Sequence, residues 1–167
     1  MAPRQIISLL RPEHWVKNLF IFIPAFFAAR LNDPVVMRDA LLGFLAFCLI
    51  ASAVYVLNDI VDAPQDRNHP DKCKRPIASG AIRVPQSIVI LLVLLTCSAG
   101  LSVYLSVHLL VFTLLYFLVN VVYSFSLKHI ALIDVSLIGL GFLLRVFAGG
   151  AVTGVPVSQW LIVLTFL

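Results

Sequence analysis

The chain has 167 residues, of which 61% are hydrophobic and only 12% charged, with a formal net charge of +4. A soluble domain carries about 25% charged residues, so the composition excludes a water-soluble globule, and no nucleic-acid partner is expected. The apolar runs are continuous rather than alternating, which selects helices over a transmembrane barrel. The expected fold class is therefore all-α, a polytopic transmembrane helix bundle.

In chain order, a short amphipathic entry at 4–13 comes first. It lacks an apolar stretch followed by a small-residue cleavage site, so no cleavable signal peptide is expected. Apolar segments follow near 15–31, 39–57, 86–105, 109–126, 132–152 and 157–167. About 20 apolar residues cross a bilayer. The last run, VSQWLIVLTFL, is too short for that, so 1–167 reads as a single transmembrane domain truncated in its sixth span. Loop cations set the topology. Arg4, Arg11, Lys17, Arg67, Lys72, Lys74, Arg75, Arg83 and Lys128 fall on one side, against Arg30 and Arg38 on the other. The cation-rich side, with the N-terminus, is assigned to the cytoplasm. Cys48, Cys73 and Cys97 show no CxxC spacing, so neither a zinc site nor a disulfide framework is expected. Gly139, Gly141, Gly149, Gly150 and Gly154 form no dinucleotide fingerprint and suit close helix packing.

Residues 58–80, NDIVDAPQDRNHPDKCKRPIASG, gather acids and bases between two apolar runs. Asn58, Asp62 and Asp66 are spaced i, i+4, i+8 and share a helix face, with Asp59 beside them. Converging carboxylates suit a hard divalent cation, and Mg²⁺ accepts a few carboxylates completed by substrate phosphates. An exposed acidic loop neutralised by its neighbours is the plainer alternative. Pro64 is compatible with a helix that starts or kinks there. Arg67, Lys72, Lys74 and Arg75 follow directly. They suit phosphate oxygens, or simply positive-inside topology and anionic headgroups. The RPIASG turn brings Arg75 back over the aspartates.

Other polar residues gather at the same mouth. Lys17 and Asn18 stand where the first span enters the membrane. Tyr123, Lys128 and Asp134 bracket the turn between the fourth and fifth spans. Lys128 suits either phosphate or a snorkelling anchor. Asp134 suits a second metal ligand, a sugar hydroxyl or a helix first turn. Arg145 lies about 16 Å deeper than Asp134 along the helix. An arginine at that depth faces a cavity or a partner, with structural pairing and anion binding equally compatible. Of the histidines, only His69 is placed to touch a substrate.

NDIVDAPQD at 58–66 matches the NDxxDxxxD motif and resembles the UbiA superfamily of intramembrane prenyltransferases, over Arg11 to Trp160. The resemblance implies a bundle of about nine spans with a cytoplasm-facing cavity and Mg²⁺ on two aspartate-rich motifs. The second motif departs from the family pattern and keeps only Asp134. RPEHWVKN at 11–18, DRNHPDKCKRPIASG at 66–80 and YSFSLK with GFLLR between 123 and 145 are similar to the decaprenyl-phosphate phosphoribosyltransferase branch. That branch implies phosphoribosyl diphosphate as donor, polyprenyl phosphate as acceptor and a role in cell-envelope arabinose donor synthesis. Asn58, Asp59, Asp62 and Asp66 would hold Mg²⁺. The three aspartates would be catalytic. Lys17, Asn18, Arg67, Lys72, Arg75 and Lys128 would bind phosphate, with Tyr123, Asp134 and Arg145 in the cavity. The implied location is the inner or plasma membrane, with a homo-oligomer left open. Two readings compete: a 4-hydroxybenzoate-type aromatic polyprenyltransferase, and a non-catalytic cation-binding or transport fragment.

Overall fold

The structure is a computed structural model that describes residues 3–124 and 131–166, and the side chains of all these except 131–134. Among the described residues every regular element is helical. They run α1 (Pro3–Leu10), a 3₁₀ segment (Pro12–Phe22), α2 (Ile23–Phe27), α3 (Pro34–Asp66), a 3₁₀ turn (Lys72–Lys74), α4 (Val84–Leu105), α5 (Val107–Val122), α6 (Ala131–Thr153) and α7 (Gln159–Phe166). The helices α3 and α4 and the stretch Val135–Thr153 of α6 are long and apolar enough to cross a membrane, and α5 is a shorter apolar helix.

Two expectations about the N-terminal region need correcting. The entry at 4–13 is not one element. It breaks at Arg11, whose φ of 51° lies in the left-handed region. Pro12 follows, and a residue before proline is barred from continuing an α-helix. The segment expected at 15–31 is not a single α-helical span either. Its first half is the 3₁₀ segment, and α-helix begins only at Ile23, with Pro24 in its first turn. Proline has no N–H to give an α-type bond back to Phe20, so the hydrogen-bond pattern changes there. At about 2 Å per residue for 3₁₀ and 1.5 Å for α, Pro12–Phe27 still reaches about 30 Å, the thickness of a bilayer core.

The run expected at 39–57 is longer than its hydropathy alone suggests. Asp33 caps it, accepting from the N–H groups of Val35 (2.9 Å) and Val36 (3.4 Å), with Pro34 at the first helical position. At the other end α3 continues through the whole aspartate stretch to Asp66. Pro64 neither starts nor interrupts it. It lies in the last turn, where only the carbonyl of Ile60 loses an intrahelical donor, and the Arg67 N–H to Ala63 carbonyl bond (3.2 Å) closes the end.

α3 stands in the middle of the bundle. One buried cluster packs Phe47, Ile50 and Val54 against Ile21, Leu109, Tyr116 and Leu144. A second packs Val56 and Ala63 against Leu9, Ile77, Ile82 and Leu94, so the loop after the aspartates is anchored by apolar residues of its own. Val89, Leu92, Val93, Val111, Leu114 and Leu118 face outward from α4 and α5. Outward apolar side chains on helices of this hydropathy meet lipid, which makes the protein an integral membrane protein. Gly149 lets the 3₁₀ segment approach α6, since a Cβ there would lie 2.1 Å from the Ile21 carbonyl oxygen.

Candidate active site

The last two turns of α3 carry Asn58, Asp59, Asp62 and Asp66. Asp59 is 2% exposed and Asp66 3%. Burying carboxylates this far requires compensation, and two arginines supply it from opposite sides. Arg11, from the turn between α1 and the 3₁₀ segment, donates Nη2 to Asp59 Oδ1 at 2.5 Å and lies over the Tyr55 ring, 5.0 Å from its centroid. Arg75, from the loop after α3, donates Nη1 to Asp66 Oδ2 at 2.7 Å and stands 3.4 Å from Asp59 Oδ1. Arg75 therefore bridges the two buried acids. Asp62 is half-buried between them on the same face. Asn58 Oδ1 accepts a short hydrogen bond from the Ser124 hydroxyl, tying α3 to the end of α5.

The expected convergence of carboxylates on one point is not the arrangement found. Among the described residues no group of three His, Cys, Asp or Glu side chains is placed to hold a metal ion. Asp59 and Asp66 each turn toward a guanidinium, which relieves the repulsion between like charges on one helix face. One oxygen is left over. Asp59 Oδ2 is buried with no hydrogen-bond partner among the described residues. Mg²⁺ needs only one or two carboxylates, with water and substrate phosphates completing its shell. An all-oxygen donor set with an orphaned buried carboxylate oxygen fits that requirement, though it does not form an all-protein cage.

A cavity of about 290 Å³ opens one helical turn beneath the aspartates, lined by Lys17, Tyr55, Tyr116, Asn120, Tyr123 and Arg145, with apolar walls from α5 and α6. Arg145 is 6% exposed. Its Nε donates to Asn18 Oδ1 at 2.7 Å, Nη1 to the Gly141 carbonyl at 2.6 Å and Nη2 to the Tyr116 hydroxyl at 3.2 Å. The guanidinium also lies over the Tyr116 ring at 4.7 Å. Asn18, expected among the phosphate ligands, sits elsewhere. It is fully buried, and its amide Nδ2 donates to Cys48 Sγ at 3.2 Å while its oxygen holds Arg145. Both ends of the amide are engaged inside the bundle, so Asn18 positions Arg145.

The remaining expected residues separate. Lys17 and Tyr123 reach the cavity. Arg67 and Lys72 are exposed on the loop after α3, and His69 Nδ1 accepts from the N–H groups of Asp71 and Lys72. Lys128 and the side chain of Asp134 lie outside the described residues. Sequence reasoning missed Arg11, Tyr55, Tyr116 and Ser124 as site residues. Arg11 opens the RPEHWVKN stretch, which was the available signal. Tyr116 sits in an apolar run with nothing to distinguish it.

A helical bundle with an acidic helix end, arginines folded over it and a polar cavity beneath defines an integral membrane protein with a charged candidate site at one end of α3. Residues 18–167 match the model of the UbiA prenyltransferase family, and the chain belongs to that family. It is 34% identical over 166 residues to the decaprenyl-phosphate phosphoribosyltransferase of Mycolicibacterium smegmatis, covering 96% of this chain and 52% of that relative. With the enzyme of the same name from Corynebacterium glutamicum it shares 37% identity over 160 residues, covering 93% of this chain and 48% of the relative. The chain thus spans about half the length of these curated relatives. A UbiA homolog from Archaeoglobus fulgidus, solved bound to DMAPP and Mg²⁺, shares the fold with a TM-score of 0.81 at 22% identity, covering 96% of this chain and 58% of that one.

Proposed function

We propose that the protein transfers 5-phosphoribosyl from phosphoribosyl diphosphate to a polyprenyl phosphate, releasing diphosphate, at the cytoplasmic face of the inner or plasma membrane and in support of cell-envelope arabinose donor synthesis. One observation carries this reading. Two of the three stretches that resemble the phosphoribosyltransferase branch fold onto the aspartate turn: RPEHWVKN through Arg11 to Asp59, and DRNHPDKCKRPIASG through Arg75 to Asp59 and Asp66. The likeness to decaprenyl-phosphate phosphoribosyltransferases over more than nine-tenths of the chain points the same way.

In the proposed reaction an oxygen of the lipid phosphate forms the new bond to C1 of the ribose as the bond from C1 to the diphosphate oxygen breaks. The acceptor oxygen is already ionised, so no base is needed. Asn58, Asp59, Asp62 and Asp66 would hold Mg²⁺, with Asp59 Oδ2 the oxygen most plainly left for it. Bound there, the ion supplies positive charge against the departing diphosphate. Arg75 stands beside the aspartates, and with Lys72 on the exposed loop after α3 it is suited to grip the same diphosphate. The ribosyl carbon develops cationic character as the bond to diphosphate stretches, so positioning and fixed charge suffice without a covalent enzyme intermediate. The apolar outer faces of the spans accept the isoprenoid tail.

The test is transfer in membranes. Full-length protein receives Mg²⁺, phosphoribosyl diphosphate labelled in the ribose, and a polyprenyl phosphate, beside an Asp62→Asn control. Label in the organic phase, lost in the variant and on chelation, is the expected result. No label there, with product forming instead from 4-hydroxybenzoate and a polyprenyl diphosphate, would replace this reading by the aromatic one.

A further inference from the structure

Among the described residues Arg145 has no acidic partner. Its guanidinium is buried deep in a membrane bundle, yet its partners Asn18, Gly141 and Tyr116 are all neutral. A buried cation is costly unless an opposite charge reaches it. The three hydrogen bonds fix the fork firmly, and Asn18 is held in turn by Cys48. Such rigid presentation of a cation at a cavity wall suits capture of an oxyanion.

The rest of the cavity narrows the ligand. Lys17 adds a second cation at the exposed rim, and Tyr55, Tyr123 and Asn120 add polar side chains. Two cations match the charge of a phosphate monoester, about −1.5 to −2 at neutral pH. One wall is apolar, with Leu137, Phe142 and Ile138, and Ile138 is 62% exposed on the outer face of α6. A ligand with a charged head and an apolar tail can thus seat its head on Arg145 and leave toward lipid past Ile138. The cavity also adjoins the aspartate turn. Tyr55 lies one turn, about 6 Å, before Asp59, and its ring carries Arg11.

We propose that the Arg145 cavity binds the phosphate head of the amphiphilic acceptor, with Arg145 and Lys17 as its charge partners, while the aspartate turn takes the donor. This rests on the reading above that the acceptor is a lipid phosphate. Donor and acceptor phosphates then sit in adjoining compartments with different charge logic. Carboxylates serve a diphosphate that arrives with a divalent ion, and bare cations serve a phosphate that arrives alone.

The test is equilibrium binding to the full-length protein in lipid nanodiscs. Farnesyl phosphate is the acceptor probe, farnesol its neutral counterpart, and inorganic phosphate the head without a tail. Phosphoribosyl diphosphate with Mg²⁺ is the donor probe. Arg145→Gln and Lys17→Gln are expected to weaken farnesyl phosphate at least about tenfold, with farnesol and donor binding unchanged. Ile138→Trp, which narrows the lipid-side exit, is expected to weaken farnesyl phosphate and spare inorganic phosphate. Should Arg145→Gln fail to fold, Lys17→Gln and Ile138→Trp alter exposed positions and decide the matter. Farnesyl phosphate affinity unchanged in Lys17→Gln and Ile138→Trp, or acceptor and donor affinity falling in parallel, overturns the proposal. Farnesyl phosphate binding that depends on Lys17 and Arg145 without any phosphoribosyl transfer would defeat the reaction and leave the site. Transfer with acceptor affinity indifferent to both cations would defeat the site and leave the reaction.

Discussion

Arg11 and Asp59 are 48 residues apart in sequence, and their side chains meet at 2.5 Å. The contact joins the turn ahead of the first membrane segment to the acidic end of α3. It also accounts for a strained backbone, since a non-glycine residue in the left-handed region costs roughly 1–2 kcal/mol. The ion pair to a nearly inaccessible carboxylate is the interaction that offsets this cost.

Arg11→Ala is expected to destabilise the protein by about 3 kcal/mol, because it leaves Asp59 buried with one guanidinium instead of two. Thermal unfolding in detergent reads the loss. Adding Asp59→Asn to Arg11→Ala should recover most of the stability, since the buried charge is then gone. It should not recover transfer. A double variant no more stable than Arg11→Ala would mean that Arg11 holds its turn by packing on Tyr55 and not by charge.

The face shared by Asn58, Asp62 and Asp66 was legible because side chains four apart stack on a helix, whatever the rest of the chain does. The depth of Arg145 was legible for a similar reason, as position along an apolar run translates directly into depth. Apart from Arg75, which the RPIASG turn returns to the aspartates, the partners of these residues were not legible. Asn18 and Arg145 are 127 residues apart, and nothing local in RPEHWVKN distinguishes an asparagine that faces a ligand from one that points into the bundle. The break at Ile23 was missed because hydropathy does not record hydrogen-bond register. The apolar character of 15–31 is real, but Pro24 decides how the backbone carries it. The aspartates were read as a metal cluster from their spacing, and the RPIASG turn placed Arg75 over them, where it pairs with Asp59 and Asp66; Arg11, the other arginine that parts them, arrives through tertiary folding.

Asn18 offers a charge test that keeps the packing. Asn18→Asp is nearly isosteric and places a carboxylate against Arg145 Nε, 2.7 Å from the present oxygen. The fold should persist, since the new acid gains a buried partner. The cavity loses its net positive charge, so farnesyl phosphate affinity should fall at least about tenfold with donor affinity unchanged. Asn18→Leu should behave differently. It removes the acceptor for Nε and leaves a buried donor unpaired, which costs about 1–3 kcal/mol of stability. Equal acceptor affinity in Asn18→Asp and the unaltered protein would mean that the charge of Arg145 is not used by the ligand.

Gly149→Ala tests the packing that brings the two halves of the cavity together. The added methyl would stand 2.1 Å from the Ile21 carbonyl oxygen and 2.8 Å from its carbon, both backbone atoms that cannot rotate away. The 3₁₀ segment must shift from α6, at a cost of about 1–3 kcal/mol or more. Asn18 rides on that segment, so the shift should also loosen Arg145. The expected result is a lower unfolding temperature together with weaker acceptor binding. An unchanged unfolding temperature would show that the segment can move freely, and that its close approach is not required.

Removal of Mg²⁺ should separate stability from turnover. In the described arrangement Arg11 and Arg75 already balance Asp59 and Asp66, so the fold does not depend on a divalent ion for charge compensation. Chelation is therefore expected to abolish phosphoribosyl transfer while moving the unfolding temperature little. Adding Mg²⁺ and phosphoribosyl diphosphate together should raise it, through a stabilisation of about 2.7 kcal/mol at a hundredfold excess over the dissociation constant. Either component alone should do far less, because Mg²⁺ with only protein carboxylates lacks the phosphate oxygens that complete its shell. In Asp62→Asn the joint stabilisation should vanish. If Mg²⁺ alone stabilised the protein as much as the pair, the aspartate turn would be a self-sufficient cation site, and the arginines would have to leave Asp59 and Asp66 for it to form.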